Sequence, residues 1–527
     1  MFRFLLDLSS DQFDGTIFIR TISLNLLCHS RLTIIIEIIL AILAVFPAAS
    51  ISHQVVFRPL TQELARRGHQ VTVITTDPAF SSEQAPLNLT EIDVHDISYK
   101  TWNDVFVLST SKGNKEDLDD QVLTMIDVMN QLIERQLQVP EVRKLIDDKN
   151  QKFDLLMLEA CVKPALIFFH IYKDVPVIQI SSFGAFPETY KALGAPTHPI
   201  LYPSVMQQRT TNLSMWEKIT NADKVYDEML RRNFGPDVTP VGKLVKNVNM
   251  LFLNVNPVFD GIRPVPPSVV YMGGLHQNPE KELPTDLESY LDSSKHGVIY
   301  ISFGTNVDPA LLPAETIQIF VRVFSKLPYD VLWKWSKDEL PGRTDNIRLS
   351  KWLPQSDLLR HPKIQLFITQ GGLQSTDEAI TAGVPLIGVP MLGDQWYNVE
   401  KYVQHKIGVR LDMDSLTDEG LRNNIEAVIS DKSYRQNMVR LRGLMRDQPQ
   451  RPLERAVWWT EHALRHGGAA HLRAPAANMS WTKYLELELV FTLLLALLSA
   501  TLIIVTLIYN LYIKFSIYTA SVKIKRG

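Results

Sequence analysis

Unbroken apolar runs alternate with amphipathic stretches along most of this chain. An apolar run over residues 42–47 (I-L-A-V-F-P) is followed by a stretch whose apolar residues Val56, Leu60, Leu64 and Ala65 share one helical face. Gly68 closes that stretch before a second run with Val71, Val73 and Ile74. Continuous apolar runs suit strands covered on both faces, and helical spacing between two of them makes a β-α-β unit of a parallel sheet. The pattern continues with helical spacing over 122–138 (Met125, Ile126, Met129, Leu132 and Ile133 on one side), a strand ending at Glu159 and a strand over 177–181. It restarts at 297–306 (G-V-I-Y-I-S-F-G-T-N), with a helix over 314–327, strands over 331–335 and 366–369, a glycine turn at Gly371 and Gly372, a helix that Gly383 ends, and a strand from Leu386. The expected fold class is therefore α/β, two doubly wound domains over 42–256 and 285–455, joined by a proline-dense linker over 257–284.

Two ends depart from this rhythm. Residues 489–513 contain no charge and exceed the roughly 20 needed to cross a bilayer, so they are expected to form one transmembrane helix, preceded by a linking and juxtamembrane segment over 456–488. Lys514, Lys523, Lys525 and Arg526 lie in the tail over 514–527, while Glu486 and Glu488 stand beside Lys483 on the other flank, which puts the tail in the cytosol and the rest on the lumenal side. The triplets at Asn88, Asn212 and Asn478 fit glycosylation on that side. Residues 1–41 read as an extension with a signal-like segment that overlaps the first strand, so cleavage near Ala49 would delete that strand.

Composition changes the picture little. With 54 basic against 57 acidic residues and a net charge of -3, nothing suggests nucleic acid. Two cysteines, Cys28 in the extension and Cys161, leave the folded part without a disulfide framework and argue against a zinc-thiolate site. We find no His/Asp/Glu group with a ligand spacing that argues for another metal, so none is expected. The irregular region over 183–240 is rich in proline, aromatics and methionine; Phe183, Tyr190, Met206, Met215 and Trp216 could line a pocket for a lipophilic molecule, or simply pack the loop.

The candidate chemistry is concentrated in 352–398. A glycine turn opening a helix at the carboxyl end of a buried strand presents unpaired N–H groups to an anion, and a phosphate is the expected guest. Around it lie a ring that can stack (Trp352), an amide (Gln355), a helix carboxylate (Glu378) and the Asp394-Gln395 pair, which suit a base, a ribose diol and sugar hydroxyls. A lone Gly-Gly turn is usually a tight connection and a lone Asp-Gln pair usually surface. Their joint order on one α/β unit is what points to a site.

This stretch resembles the donor signature of the UDP-glycosyltransferase family. The resemblance implies a GT-B architecture of two Rossmann-like domains facing a cleft, and a UDP-sugar as co-substrate with no cofactor. It assigns Trp352 and Gln355 to uracil and ribose, Gly371 and Gly372 with Ser302, Gly304 and Thr305 to the diphosphate, Glu378 to ribose, and Asp394 and Gln395 to the transferred sugar. Gln370 stands where many members have histidine, and Gln374 and Ser375 where vertebrate members have Asn-Gly, which makes the signature insect-like. His53, in an S-H-Q context at the end of strand one, matches the family's general base. Glu159 stands where vertebrate members have its aspartate partner; being one methylene longer, it either works from further back or makes a weaker dyad. The implied reaction is an inverting transfer of a hexose, glucose rather than glucuronic acid, to a hydroxyl of a small lipophilic acceptor. The implied setting is detoxification at the endoplasmic reticulum membrane.

Two other readings stay open on sequence. A dinucleotide-dependent oxidoreductase needs G-x-G-x-x-G after a first strand, which neither P-A-A-S-I-S-H nor F-G-T-N-V-D supplies. A non-catalytic UDP-sugar-binding partner subunit is motivated by Gln370 and Glu159. Homo- or hetero-oligomers are equally compatible with the chain.

Overall fold

The computed structural model describes residues 39–81, 83–104, 118–198, 201–205, 230–232 and 234–524. The N-terminal extension up to residue 38 with Cys28, the sequon at Asn212, the pocket candidates Met206, Met215 and Trp216, and Lys525 and Arg526 of the tail lie outside the described residues.

Seven strands make the first sheet: β1 (Ala41–Phe46), β2 (Gln70–Thr75), β3 (Leu89–Asp93), β4 (Leu155–Glu159), β5 (Val177–Ser181), β6 (Val248–Leu253) and β7 (Val269–Tyr271), in the order β3-β2-β1-β4-β5-β6-β7. Six make the second: β8 (Val298–Ser302), β9 (Asp330–Lys334), β10 (Ile347–Ser350), β11 (Ile364–Thr369), β12 (Leu386–Gly388) and β13 (Gly408–Arg410), in the order β10-β9-β8-β11-β12-β13. Each pairing between neighbouring strands is parallel. The stretch 257–284, expected as a linker from its prolines, supplies β7, so the first sheet extends into it. Pro264, Pro266 and Pro267 mark the turn before that short edge strand, and Gly273 and Gly274 the turn after it, but neither reveals the strand itself.

The apolar runs have the cause expected of them. Successive side chains of β1 and β4 go to opposite faces. Leu43, Val45, Leu156 and Leu158 join one cluster with Met129, Leu132 and Ile133 of the helix Leu118–Gln136. Ile42, Ala44, Leu155 and Met157 join another with Val56, Leu60 and Leu64 of the helix Ile51–Arg66. Each aliphatic side chain so buried contributes about 1.5–3 kcal/mol relative to exposure, which keeps both strands apolar up to Glu159, the polar residue that ends β4. The second cluster also takes Ala456, Val457, Ala463 and Leu464 from the helix Pro452–Arg465, which returns to the first sheet after the second has been completed and pairs Glu461 with Arg67 at 3.1 Å.

In both sheets the strand order reverses beside the first strand of the unit, between β1 and β4 and between β8 and β11. Crevices outside the carboxyl ends of the strands at these points are where open α/β sheets bind ligands. The two sheets also touch across the gap: Asn256 Nδ2 donates to the Met445 carbonyl at 3.1 Å, Tyr397 Oη to the Asp260 carbonyl at 2.9 Å, and Gln277 Nε2 to Asp377 Oδ2 at 2.8 Å. Beyond them the chain ends in a helix over Leu487–Ile524. Its segment Leu487–Ser521, whose most apolar 18-residue stretch has mean hydropathy 2.7 and no residue buried, is long and apolar enough to cross a membrane.

Candidate active site

Strand β1 ends at Phe46, and the loop after it turns into the helix Ile51–Arg66, whose third residue is His53. Strand β4 is the neighbour of β1 and ends with Glu159, so parallel pairing brings both residues to one mouth although 106 positions separate them. His53 Nδ1 stands 2.6 Å from Glu159 Oε1. The carboxylate is completely buried. Its Oε2 accepts from the Ala48 N–H at 3.1 Å, and Oε1 also accepts from the Cys161 thiol at 3.2 Å. The extra methylene of Glu is therefore taken up by a direct hydrogen bond, with the carboxylate fixed from three sides. A carboxylate on Nδ1 selects the tautomer that leaves Nε2 able to accept a proton. The edge of Phe183, 5.8 Å from the imidazole centroid, walls one side. Asp154, at the start of β4, instead accepts from the Ala41 N–H at 2.7 Å, which is structural.

His53, Glu159 and Cys161 also place a nitrogen, an oxygen and a sulfur within 4.8 Å of one another, a donor set that spacing along the chain does not reveal. Two ligands of one tetrahedral zinc stand about 3.3 Å apart. The imidazole and carboxylate atoms, 2.6 Å apart, are at hydrogen-bond distance instead, so this pair shares a proton.

Across the gap, β11 ends at Thr369 and the chain turns through Gln370, Gly371 and Gly372 into the helix Leu373–Ala382. Gly371 has φ +94°, and a Cβ there would sit 2.5 Å from Val399 Cγ2, so the turn requires glycine. Gly372 is the N-cap residue in ordinary extended geometry; beyond it the helix's first N–H groups lack intrahelical partners. Gly383, in the left-handed region, ends the helix as its position implies. Gln370 is buried against Gly304, where a Cβ would lie 2.4 Å from its Nε2, and its Oε1 has no partner among the described residues. A buried amide end without a partner is one that a ligand can satisfy, and half a turn about its last bond would offer N–H instead.

The remaining donor-side candidates fall into three groups. Ser302, at the end of β8, is buried and its Oγ accepts from the Gly304 N–H at 3.3 Å, while Thr305 is exposed beside it. Gln355 accepts from Tyr300 Oη at 3.0 Å and donates to Ser375 Oγ at 2.9 Å and Glu378 Oε2 at 2.7 Å, a network that locks the amide and the helix carboxylate together. Burial pushes the Glu378 carboxyl above its ordinary range. Asp394 precedes the helix Gln395–His405 without a side-chain capping bond, and its Oδ2 accepts from Asn398 Nδ2 at 2.8 Å. Burial raises its carboxyl too, against the opposing pull of that amide and of the His53 charge. Gln395 Oε1 accepts from the N–H groups of Met391 and Leu392, both at 2.8 Å, so only its NH2 end can serve a sugar. Trp352 is 66% exposed, a large face left for a ligand.

Two residues not singled out in the sequence, Lys334 and Ser50, belong here. Lys334, ending β9, donates to the Gly304 carbonyl at 2.8 Å and lies 4.7 Å from the centre of the Trp352 ring; burial lowers its ammonium below the usual range. Ser50 Oγ, before His53, reaches Asn306 Oδ1 at 3.2 Å across the gap. Gln374, expected at the donor, donates to the Ser182 carbonyl at 3.0 Å and so ties the donor helix to the loop after β5. A lysine at the end of the strand beside β8 was the one available signal; the two cross-gap bonds leave no trace in local pattern.

Comparison with known proteins agrees with this geometry. The profile of the family described as UDP-glucoronosyl and UDP-glucosyl transferase matches residues 41–521. An ecdysteroid UDP-glucosyltransferase of Lymantria dispar multicapsid nuclear polyhedrosis virus is 38% identical over 476 residues, covering 86% of this chain and 93% of its own length. UDP-glucosyltransferase 2 of Dactylopius coccus is 31% identical, covering 86% and 89% respectively. Among solved structures, a UDP-glucose: anthocyanidin 3-O-glucosyltransferase in complex with UDP superposes with TM-score 0.56 at 15% identity, over 81% of this chain and 99% of that one. CalG4, the calicheamicin glycosyltransferase, superposes with TM-score 0.54 at 20% identity, over 81% and 98%. These structures share the GT-B fold of two facing Rossmann-type sheets. The chain belongs to the UDP-glucuronosyl and UDP-glucosyl transferase family, as an insect-like member that transfers a sugar from a UDP-sugar.

Proposed function

We propose that the transferred sugar is glucose and that it goes, with inversion, to a hydroxyl of a small lipophilic acceptor. The observation that carries this is the 2.6 Å bond between His53 Nδ1 and the buried Glu159, at the mouth of the sheet opposite the donor turn. The acceptor oxygen attacks the anomeric carbon as His53 Nε2 takes its proton. The bond from that carbon to the phosphate oxygen breaks, and UDP leaves with the electron pair. One displacement converts an α-linked donor into a β-glycoside. Glu159 stays ionised and holds the imidazolium. Charge growing on the diphosphate meets the N–H groups at Gly371 and Gly372, the start of the donor helix, Ser302, Gly304, Thr305, Gln370 and Lys334, so that no metal is called on. Trp352 stacks on uracil, Gln355, Ser375 and Glu378 hold ribose, and Asp394 with the Gln395 NH2 holds the glucose hydroxyls. Gln374 and Ser50 align the two halves.

Several relatives are named for glucose transfer to an ecdysteroid, a hydroxylated steroid, which supports both the donor and a lipophilic acceptor. We place the enzyme in the endoplasmic reticulum as a single-pass glycoprotein with lumenal catalytic domains and a cytosolic basic tail, conjugating small molecules for disposal. The supports are the C-terminal helix and the cationic residues that follow its apolar centre. The test uses microsomes from cells expressing the chain, with UDP-glucose and UDP-glucuronic acid each offered against hydroxylated steroids, phenols and flavonoids, beside His53→Ala. β-Glucoside formation that the variant loses is expected. Preference for UDP-glucuronic acid, or an α-linked product, would overturn the donor or the mechanism respectively.

A further inference from the structure

Three histidines at and just beyond the end of the helix that returns to the first sheet have no part in sugar transfer. His462 lies in its last turn and His466 follows four residues later, on the same side. Gly467 (φ +62°) and Gly468 (φ +116°) then reverse the chain. The Gly468 N–H donates to the Ala463 carbonyl at 2.7 Å, and a Cβ on Gly468 would stand 3.2 Å from Asn249 Nδ2 and 3.4 Å from Pro176 Cβ, so the reversal is pressed against the first sheet. The short turn Ala470–Leu472 brings His471 back over the helix end, with its Nε2 3.2 Å from His462 Nε2.

The three imidazoles converge, with ring centroids 4.5 Å apart for His462 and His466, 5.4 Å for His462 and His471, and 5.9 Å for His466 and His471. The arrangement is built. Trp458 stacks on His462 at 5.3 Å and 22°. Ala469, before His471, is fully buried, and after it the Arg473 guanidinium donates to the Ala192 carbonyl and the Ala474 N–H to the Leu193 carbonyl. Glu461, beside His462 in sequence, is committed to Arg67 and Arg465, so the donor set is all imidazole.

We propose that His462, His466 and His471 form a binding site for a borderline divalent cation, zinc in the first place, with the fourth position open to solvent. Neutral imidazole suits such ions, and two nitrogens on one tetrahedral zinc stand about 3.3 Å apart, close to the 3.2 Å separation of His462 and His471. His466 is exposed, its ring centroid 4.5 Å from that of His462, and the proposal requires its side chain to rotate to bring a nitrogen into the set. A bound ion would clamp the end of the returning helix to the turn that leads into the membrane segment. The site is independent of the donor and acceptor residues.

The test is zinc titration of the full-length, detergent-solubilised protein, with any purification tag removed, by competition with a chromophoric chelator. Cobalt replaces zinc for absorption spectra. One equivalent is expected, with a tetrahedral cobalt spectrum lacking a thiolate charge-transfer band. His462→Ala and His471→Ala should each weaken zinc binding on the order of tenfold or more while UDP binding and the metal-free melting temperature stay as in the parent. No saturable binding, unchanged affinity in both variants, or a cobalt-thiolate band that places the ion at Cys161 would each overturn the proposal.

Discussion

Glu159→Asp is the sharpest probe of the catalytic pair, because it keeps the charge and changes only the reach. Removing one methylene withdraws the carboxylate by roughly 1.5 Å, which takes the 2.6 Å separation from His53 Nδ1 to about 4 Å. At an effective dielectric constant of about 20, the attraction between imidazolium and carboxylate falls from about 6 to about 4 kcal/mol. The difference of about 2 kcal/mol matches the usual worth of a hydrogen bond to a charged group and corresponds to roughly a 30-fold loss in kcat/KM. The loss belongs in kcat, since the charge on His53 develops only as the acceptor proton is transferred. Glu159→Gln keeps the reach but removes the charge and frees the tautomer, so its loss should be larger, on the order of a thousandfold or more. Initial rates with UDP-glucose and a responsive acceptor give these numbers, with UDP titration and thermal melting as controls for folding. If both variants bind UDP normally and the Gln form turns over as fast as the parent, Glu159 has no part in holding the imidazolium and the mechanism above is wrong.

Other consequences follow from the donor side and from the surface of the first helix. Trp352→Ala should raise KM for the UDP-sugar by roughly ten- to a hundredfold, the worth of one base-aromatic stack, with an unchanged melting temperature because the ring is mostly exposed; unaltered UDP affinity by calorimetry would remove the ring from the base site. Gly371→Ala should cost about 1–3 kcal/mol of strain and weaken UDP binding, whereas Gly372→Ala, at φ -60° with its nearest neighbour 3.6 Å away, should melt like the parent. Equal melting temperatures for the two variants would contradict the geometry of the turn. Glu63 is lowered to about 2, chiefly by its hydrogen bond from Arg66 and against the opposing effect of burial. Its depressed value means a stabilising contribution that is present above the ordinary 4.5 and lost as pH falls from there toward about 2. Glu63→Gln should therefore flatten the acid limb of denaturant-measured stability, and an unchanged limb would show that the ion pair is idle.

How much of this was legible in the sequence depends on how far apart the determining residues lie. Strands β1, β4, β8 and β11 are buried on both faces, and an unbroken apolar run is enough to mark such a strand. The ends of the donor helix are set by Gly371, Gly372 and Gly383, where positive φ or the N-cap position leaves a local mark. By contrast β7 is a three-residue edge strand between prolines, too short to show a period, and its stretch reads as linker. The returning helix Pro452–Arg465 has a clear apolar stripe, but nothing in that stripe says that it is buried by the first sheet rather than the second.

The site itself was legible as an inventory and not as an assembly. Turn glycines, Trp352, Gln355, Glu378 and Asp394 are contiguous enough to form a signature, while the bonds that arm it span the chain: 106 positions from His53 to Glu159, 192 from Ser182 to Gln374, and 256 from Ser50 to Asn306. This is why Glu159 looked like a weakness in the sequence. Judged alone, a longer side chain at that position misplaces its carboxylate; judged in place, its two oxygens are held by the Ala48 N–H, the Cys161 thiol and the imidazole, and every one of those partners is supplied by β1, by β4 or by the few residues following them. The parallel register of two neighbouring strands fixes all three together, so the departure at Glu159 and the thiol at Cys161 form one arrangement. A change at either position is then felt at His53 even though the imidazole itself is untouched.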